Sequence, residues 1–164
     1  AAEEAGRLRR GYFVAGLGAA QFAIAGADER LRVQQTASSD DAVFTLSAID
    51  PASPFGAMID WPGTLSGASR PQRVAGSRVV ICDGRLLAWL SATGETLTTF
   101  IDRERPYGPE AMQVAEAIAK LAAYRSSVVL KRIDGDSAHA SPLRVAFAAS
   151  GFTTSGESLL CHGG

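Results

Sequence analysis

The sequence contains few of the residue types on which many catalytic and metal sites depend. Among its 164 residues are two cysteines, Cys82 and Cys161, and two histidines, His139 and His162. Two cysteines cannot build a disulfide framework, and neither a C-x-x-C pair nor an H-E-x-x-H motif is present. No G-x-S-x-G motif occurs, and two histidines leave few candidate bases for a nucleophile. We therefore expect no metal site and find little support for a hydrolase triad.

Long apolar runs and a strong net charge are also lacking. No run approaches the roughly 18 residues of a membrane span, and the first residues do not form a signal peptide. We expect a cytoplasmic location, no membrane partner, and a start that reads like the middle of a longer protein. The formal net charge of -1 excludes a uniformly basic protein that coats nucleic acid, although it permits a local arginine patch.

The composition is otherwise that of a folded domain. Hydrophobic residues make up 46% of the chain and charged residues 20%. At this length folding buries about 70% of the unfolded chain's surface, which is enough for a core without a metal or disulfide. Of the 16 basic residues, only Lys120 and Lys131 are lysines.

The pattern of apolar residues and turns predicts an α+β fold. The strongest signal is Ser77 to Ile101, where two x-Gly turns separate three β-rich runs, as in an antiparallel meander. We predict a mostly antiparallel sheet or partly closed β-barrel with two main helices. The other predicted elements are a strand ending at Val14, a short helix over 26–32, a strand over 43–49, an irregular loop over 50–67, helices over 109–125 and from Ser141 to Gly151, a strand over 127–133, and a last strand including Phe152 and Leu159-Leu160.

A cluster of basic and aromatic residues lies near the start of the chain. Arg7, Arg9 and Arg10 precede Tyr12 and Phe13, an arrangement that can lie along phosphates while aromatic rings stack. A solvated strand edge, protected from aggregation by its charges, explains the cluster equally well. A looser group consists of Arg70, Arg73, Arg78 and Arg85, for which ordinary surface arginines are the favoured reading.

Two further motifs have simple structural interpretations. The series Val14, Gly16, Gly18 and Gln21 lies close to a dinucleotide fingerprint, but the third glycine is missing, and a glycine turn is strongly favoured. Asp134 precedes Gly135 in a predicted turn, where aspartate usually bonds the following amides. A turn role is favoured, and Asp134 is also our best candidate for a catalytic carboxylate.

A series of segments resembles the C-terminal end of the large helicase-related (Lhr) proteins, bacterial superfamily 2 DNA helicases of DNA repair. The segments occur in family order over nearly the whole chain. They are 6–14, 16–23, 27–32, 50–56, 61–62, 70–71, 75–76, 79–80, 83–86, 132–135, 141–143 and 149–152.

The resemblance implies an N-terminal helicase motor followed by winged-helix modules and a terminal β-barrel-like module. It implies that residues 1–14 end a winged helix and connect to a single barrel-like domain over 15–164. Partners would be preceding winged-helix modules, single-stranded DNA or an RNA:DNA hybrid, and possible further copies of the chain. The contacts to nucleic acid would come from Arg7, Arg9, Arg10, Tyr12, Arg70, Arg73 and Arg85.

The family's ATPase chemistry has no counterpart in these residues. No G-x-x-x-x-G-K-[S/T] phosphate loop is present, so ATP and Mg²⁺ would bind only in the parent motor, and we expect no cofactor here. The resemblance favours a non-motor accessory domain that contributes nucleic-acid or assembly contacts. Some relatives are linked to uracil-DNA glycosylase activity, so a base-excising module using Asp134 is an alternative. A purely structural module that joins protomers is another.

Overall fold

The computed structural model describes residues 6–14, 18–36, 42–102 and 104–163, with no description of the side chains of residues 35 and 36. The chain divides into two compact units, Ala1–Asp40 and Asp41–Gly164. This division falls later than the domain boundary expected after residue 14, which stays a prediction. The helix end expected over residues 1–6 lies almost wholly outside the described residues, as does most of the linker expected over residues 36–41.

The described residues of the first unit form a β-hairpin and one helix. Its elements are β1 (Leu8–Gly11), β2 (Gln21–Ile24) and α1 (Ala27–Thr36). The two strands are antiparallel, with Leu8 opposite Ile24 and Gly11 opposite Gln21. The predicted short helix is present and extends to Thr36, whereas the sequence did not predict β2. None of the described residues of this unit is buried.

The described residues of the second unit form nine strands in two sheets. They are β3 (Val43–Ser47), β4 (Arg78–Cys82), β5 (Arg85–Leu90), β6 (Thr96–Thr99), β7 (Ser127–Leu130), β8 (Arg132–Ile133), β9 (Asp136–Ser137), β10 (Thr153–Ser155) and β11 (Ser158–His162). Six form one sheet in the order β3-β4-β5-β6-β8-β9, and three form another in the order β10-β11-β7. All pairs are antiparallel except β6 with β8. The predicted α+β class and the meander are confirmed.

The larger sheet is open within the described residues. Its edges are β3 and β9, so the partly closed barrel is not confirmed. The single strand predicted over 127–133 is also wrong, because β7 and β8 belong to different sheets. Lys131 lies between these strands, and its N–H donates to the carbonyl of Glu95. One apolar run therefore supplies strands to both sheets.

The helices of the second unit share one apolar core with one face of the larger sheet and with the three-stranded sheet. They are α2 (Pro109–Ala119), α3 (Ala122–Arg125) and α4 (Arg144–Ala149). The predicted helix over 109–125 is divided, because the N–H of Leu121 bonds the carbonyl of Ile118 in a tighter turn. Phe147 is fully buried, with its ring edge-on to Phe152 at 5.1 Å between centroids. Among the described residues no helix combines the length and apolar character that a membrane span requires.

The irregular loop predicted over 50–67 covers the opposite face of this sheet. Successive side chains of a strand point to opposite faces, so Val80 joins the helix side while Val79 packs with Phe55 and Trp89. Trp61 stacks on Phe55 with their ring centroids 6.5 Å apart. A β-carbon on Gly56 would lie 2.5 Å from the Trp61 indole nitrogen, so this turn requires glycine. The central strands are consequently buried on both faces.

Candidate nucleic-acid interface

The register of the β1-β2 hairpin distributes the first arginine cluster over both of its faces. Arg9 lies opposite Ala23 and Arg10 opposite Phe22. Because neighbouring residues of a strand point to opposite sides, Arg9 and Arg10 cannot lie on one face. Both are exposed, as is Arg7, whose carbonyl accepts a hydrogen bond from the N–H of Ala25. The three arginines therefore surround the hairpin and do not form one flat patch.

The three guanidinium groups differ in their partners. Arg9 donates to the carboxylate of Asp28 at 2.7 Å, in the first turn of α1. Arg7 and Arg10 form no ion pair with any residue that the structure describes. An external phosphate thus meets two unpaired cations and one that already has a carboxylate partner.

A glutamine side chain closes the hairpin loop. The Oε1 atom of Gln21 accepts the N–H groups of Phe13 and Val14 at 2.8 Å each, and its Nε2 donates to the Val14 carbonyl at 2.8 Å. A strand, β2, follows this loop, whereas a dinucleotide fingerprint requires a helix there. The glycine-turn interpretation therefore fits the described part of this loop.

The aromatic residues beside the cluster differ in exposure. Tyr12 is 83% exposed and follows β1 directly, so its ring is available for stacking. Phe13 is half-buried, and a β-carbon on Gly11 would lie 3.0 Å from its ring. Phe22 and Ile24 are also exposed, at 57% and 64%, on the face that carries Arg10. The hairpin thus presents cations and apolar rings together.

The second arginine group serves several different roles. Arg73 donates to the carbonyls of a loop and strand end at 2.7–3.5 Å, namely those of Ala48, Ile49, Asp50, Ser53 and Phe55. Both terminal nitrogens of Arg73 are therefore used inside the protein, and its predicted phosphate contact stays a prediction. Arg70 is exposed in the segment between the 50–67 loop and β4.

Arg85 begins β5 and pairs with the carboxylate of Glu110 on α2. The hydrogen bond to Glu110, reinforced by the charge of that carboxylate, raises the pKa of Arg85 above its ordinary value. The pair joins the sheet to the first turn of the helix. A phosphate would have to compete with Glu110 for this guanidinium.

Asp134 lies where two strands meet. Its side chain is buried, and its two oxygens accept the N–H and the hydroxyl of Thr99 on β6 at 2.6 and 2.7 Å. Its backbone φ is +54°, and a β-carbon on Gly135 would lie 2.6 Å from the Gly67 carbonyl. The predicted turn is present, but the carboxylate holds a neighbouring strand, a role that the sequence did not indicate.

The described residues contain no group of three or more His, Cys, Asp or Glu side chains that could hold a metal ion. Cys82 and Cys161 are both buried in the core of the second unit. His139 and His162 are exposed. The soft metal ligands are thus not gathered at one site.

The sequence did not predict that Arg78, Lys120 and Arg125 form a further group of cations. Lys120 and Arg125 lie at the ends of α2 and α3, and the structure brings them to one groove with Arg78 of β4. Lys120 forms no ion pair with Glu116, four residues earlier, among the described residues. No sequence signal links these positions, because the fold alone places them together.

Comparison with known proteins relates the chain to large helicase-related proteins. Residues 1–43 match the family model described as the winged-helix domain of large helicase-related protein. Over 103 residues, 60% of this chain, it is 48% identical to a Mycolicibacterium smegmatis protein named Lhr helicase/probable uracil glycosylase. Over 111 residues, 66% of the chain, it is 38% identical to the Escherichia coli protein named Lhr helicase/uracil glycosylase.

In both comparisons the aligned part is a small fraction of the relative, about 7% of its length. The winged-helix match covers the first compact unit and reaches the first residue of β3. The resemblance to the C-terminal domain of Lhr proteins is therefore confirmed.

Proposed function

From this relation to the Lhr family, we propose that the chain is a non-motor accessory region of an ATP-dependent DNA helicase that acts in DNA repair. ATP and Mg²⁺ bind in the motor of the parent protein. The winged-helix match over residues 1–43 supports a winged-helix end that extends through the first unit, so we place the start of the following domain near residue 41 and not after residue 14. The region contributes contacts to single-stranded DNA or an RNA:DNA hybrid.

The exposed cations of the β1-β2 hairpin carry this proposal. Arg7 and Arg10 have no carboxylate partner among the described residues, and Tyr12 lies exposed one residue beyond β1. Phosphate oxygens are the natural partners of unpaired guanidinium groups, and an aromatic ring accepts a base of any sequence. The hairpin is therefore suited to contact the phosphate backbone of a nucleic acid without distinguishing its base sequence.

The experiment is the salt dependence of DNA binding. Joint replacement of Arg7, Arg9 and Arg10 by Ala should lower the log-log salt slope by roughly 2 to 3, as expected for the loss of that many phosphate contacts. Labelled DNA is titrated at several salt concentrations and followed by fluorescence anisotropy. The matched control replaces three exposed arginines of the second unit, Arg105, Arg132 and Arg144.

Because Arg9 already pairs with Asp28, the Arg7→Ala/Arg10→Ala double variant should account for most of the change. If the log-log salt slope is the same for wild type and the triple variant, the arginine cluster is only a solvated strand edge. A control triple that lowers the slope as much would also contradict the proposal, because the effect would then follow net charge and not position.

A second candidate function is uracil excision, since both relatives carry uracil glycosylase in their names. The candidate carboxylate, Asp134, is buried with both oxygens bonded to Thr99. A carboxylate that stabilises positive charge on a sugar must reach that sugar, and this one is occupied inside the protein. We therefore favour the accessory role. The molecular mass at which the wild-type chain elutes from a gel-filtration column tests the third possibility, a module that forms oligomers.

A further inference from the structure

A groove in the second unit lies between strand β3 and helices α2 and α3. Two adjoining cavities form it, with volumes of about 480 and 250 Å³. They share four lining residues, Val43, Thr45, Ala117 and Lys120. Because β3 is an edge strand of the larger sheet, the groove opens along that edge.

Three cations from three different elements line the larger cavity. They are Arg78 of β4, Lys120 directly after α2 and Arg125 at the end of α3. In the part of the chain that the structure describes, none of them forms an ion pair. The one acidic residue along the groove is Glu116, in the smaller cavity. The larger cavity therefore carries three positive charges and no acidic residue.

Arg78 supplies a second, independent observation. Its Nε atom is buried and has no hydrogen-bond partner among the described residues. A buried donor without an acceptor costs about 1–3 kcal/mol, so native proteins nearly always provide one. Because Nε itself is shielded from solvent, an anion in the groove would meet the accessible part of Arg78, which lines the larger cavity.

An aromatic ring completes the groove. Tyr124 lines the larger cavity, and 88% of it is exposed. It stands directly before Arg125 on α3, and the ring lines the same cavity as Lys120 and Arg125. Exposed rings beside unpaired cations are the arrangement with which proteins hold single strands, because bases stack on the ring while phosphates meet the cations.

We propose that this groove binds single-stranded nucleic acid. Lys120, Arg125 and Arg78 contact phosphates, and Tyr124 stacks on an unpaired base. A duplex is disfavoured as the occupant because its bases are already stacked on one another and offer Tyr124 no free face. The proposal uses none of the hairpin residues and adds an independent contact surface in the other unit.

The charge arm of the test compares two double variants of the full chain. Lys120→Gln/Arg125→Gln should weaken binding of a labelled oligothymidylate of about 12 nucleotides roughly 10-fold and lower the log-log salt slope by about 1.4. The matched control is Lys131→Gln/Arg105→Gln, whose cations are paired with Glu95 and Asp102. All four side chains are exposed, so thermal unfolding should be unchanged in both proteins.

The stacking arm compares two exposed tyrosines. Tyr124→Ala should weaken oligothymidylate binding about 10-fold, whereas Tyr124→Phe should keep wild-type affinity because the ring remains. Tyr107→Ala, which lies outside the groove, is the control and should bind as wild type does. A paired duplex of the same length should show no difference between wild type and Tyr124→Ala.

The proposal is overturned if the folded wild type does not bind the oligonucleotide, or if the two double variants change the slope equally. It is also overturned if polyglutamate competes as well as oligothymidylate and Tyr124→Ala has no effect, since an acidic protein segment would then be the occupant. The hairpin triple variant is measured in parallel. If the hairpin triple variant still binds oligothymidylate and Tyr124→Ala weakens that remaining binding, the groove acts independently of the hairpin, whether or not the hairpin proposal holds.

Discussion

The two compact units bury their side chains very differently. In the first unit no described residue is buried, and Phe22, Ile24, Leu31 and Val33 are all exposed. In the second unit both faces of the larger sheet are covered, by helices on one side and the 50–67 loop on the other. Hydrophobic burial is the main favourable term in folding, so the second unit holds nearly all of this stabilisation.

This difference shows why candidate phosphate contacts occur in both units but with different surroundings. None of the described residues of the first unit's hairpin is buried, and Arg7 and Arg10 are exposed on this small element. In the second unit, the ends of α2 and α3 and strand β4 bring cations together around a groove whose floor belongs to the packed core. The first arrangement depends on local sequence, and the second depends on the whole core remaining folded.

The largest expected effect is on the core of the second unit. Phe147→Ala should lower the free energy of unfolding by about 3–5 kcal/mol, because a fully buried ring is replaced by a cavity. The matched variant Phe22→Ala, in the first unit, should change it by less than about 0.5 kcal/mol. Urea titration followed by far-ultraviolet circular dichroism, which reports on both units, measures both. Similar losses in the two variants would mean that Phe22 is buried in solution and that the contrast between the units is false.

A smaller effect is expected at Asp134. Asparagine keeps one acceptor oxygen, whereas Thr99 presents two donors, so Asp134→Asn should cost about 1–3 kcal/mol. This exceeds the cost of a simple turn residue, which is well under about 1 kcal/mol. Thermal and urea unfolding measure the loss, with the exposed Asp60→Asn as control.

The same variant tests catalysis. Excision of uracil from a single-stranded oligonucleotide should not differ between wild type and Asp134→Asn at a temperature where both are folded. A fall of about 100-fold or more with the fold intact would assign Asp134 a catalytic role and contradict our preference for an accessory domain.

The smallest stability effect is expected at Asp28. Its pair with Arg9 is largely exposed on the arginine side, so Asp28→Asn should change the free energy of unfolding by less than about 1 kcal/mol. DNA affinity should rise instead, by roughly 2- to 5-fold, because one negative charge is removed and Arg9 becomes available to phosphate. Anisotropy titration at low salt measures this. Weaker binding of the variant would show that the pair positions Arg9 for DNA.

The sequence alone determined the features that depend on neighbouring residues. The Asp83-Gly84 turn and its flanking strands, the proline at the start of α2 and the glycine after α4 all follow from local propensity. The family resemblance likewise depended on the order of short segments, and the comparisons support it. The hairpin arginines were visible for the same reason, since they are adjacent in the chain.

Only the tertiary structure decided what depends on distant residues. It placed Ser127–Leu130 and Arg132–Ile133 in different sheets, because the first segment pairs with β11 and the second pairs with β6. It directed Arg73 to carbonyls up to 25 residues away and placed Asp134 against Thr99. It also gathered Arg78, Lys120 and Arg125 around one groove. Local propensity sets the type of an element, but which side chains meet is decided by how the elements pack to bury their apolar faces.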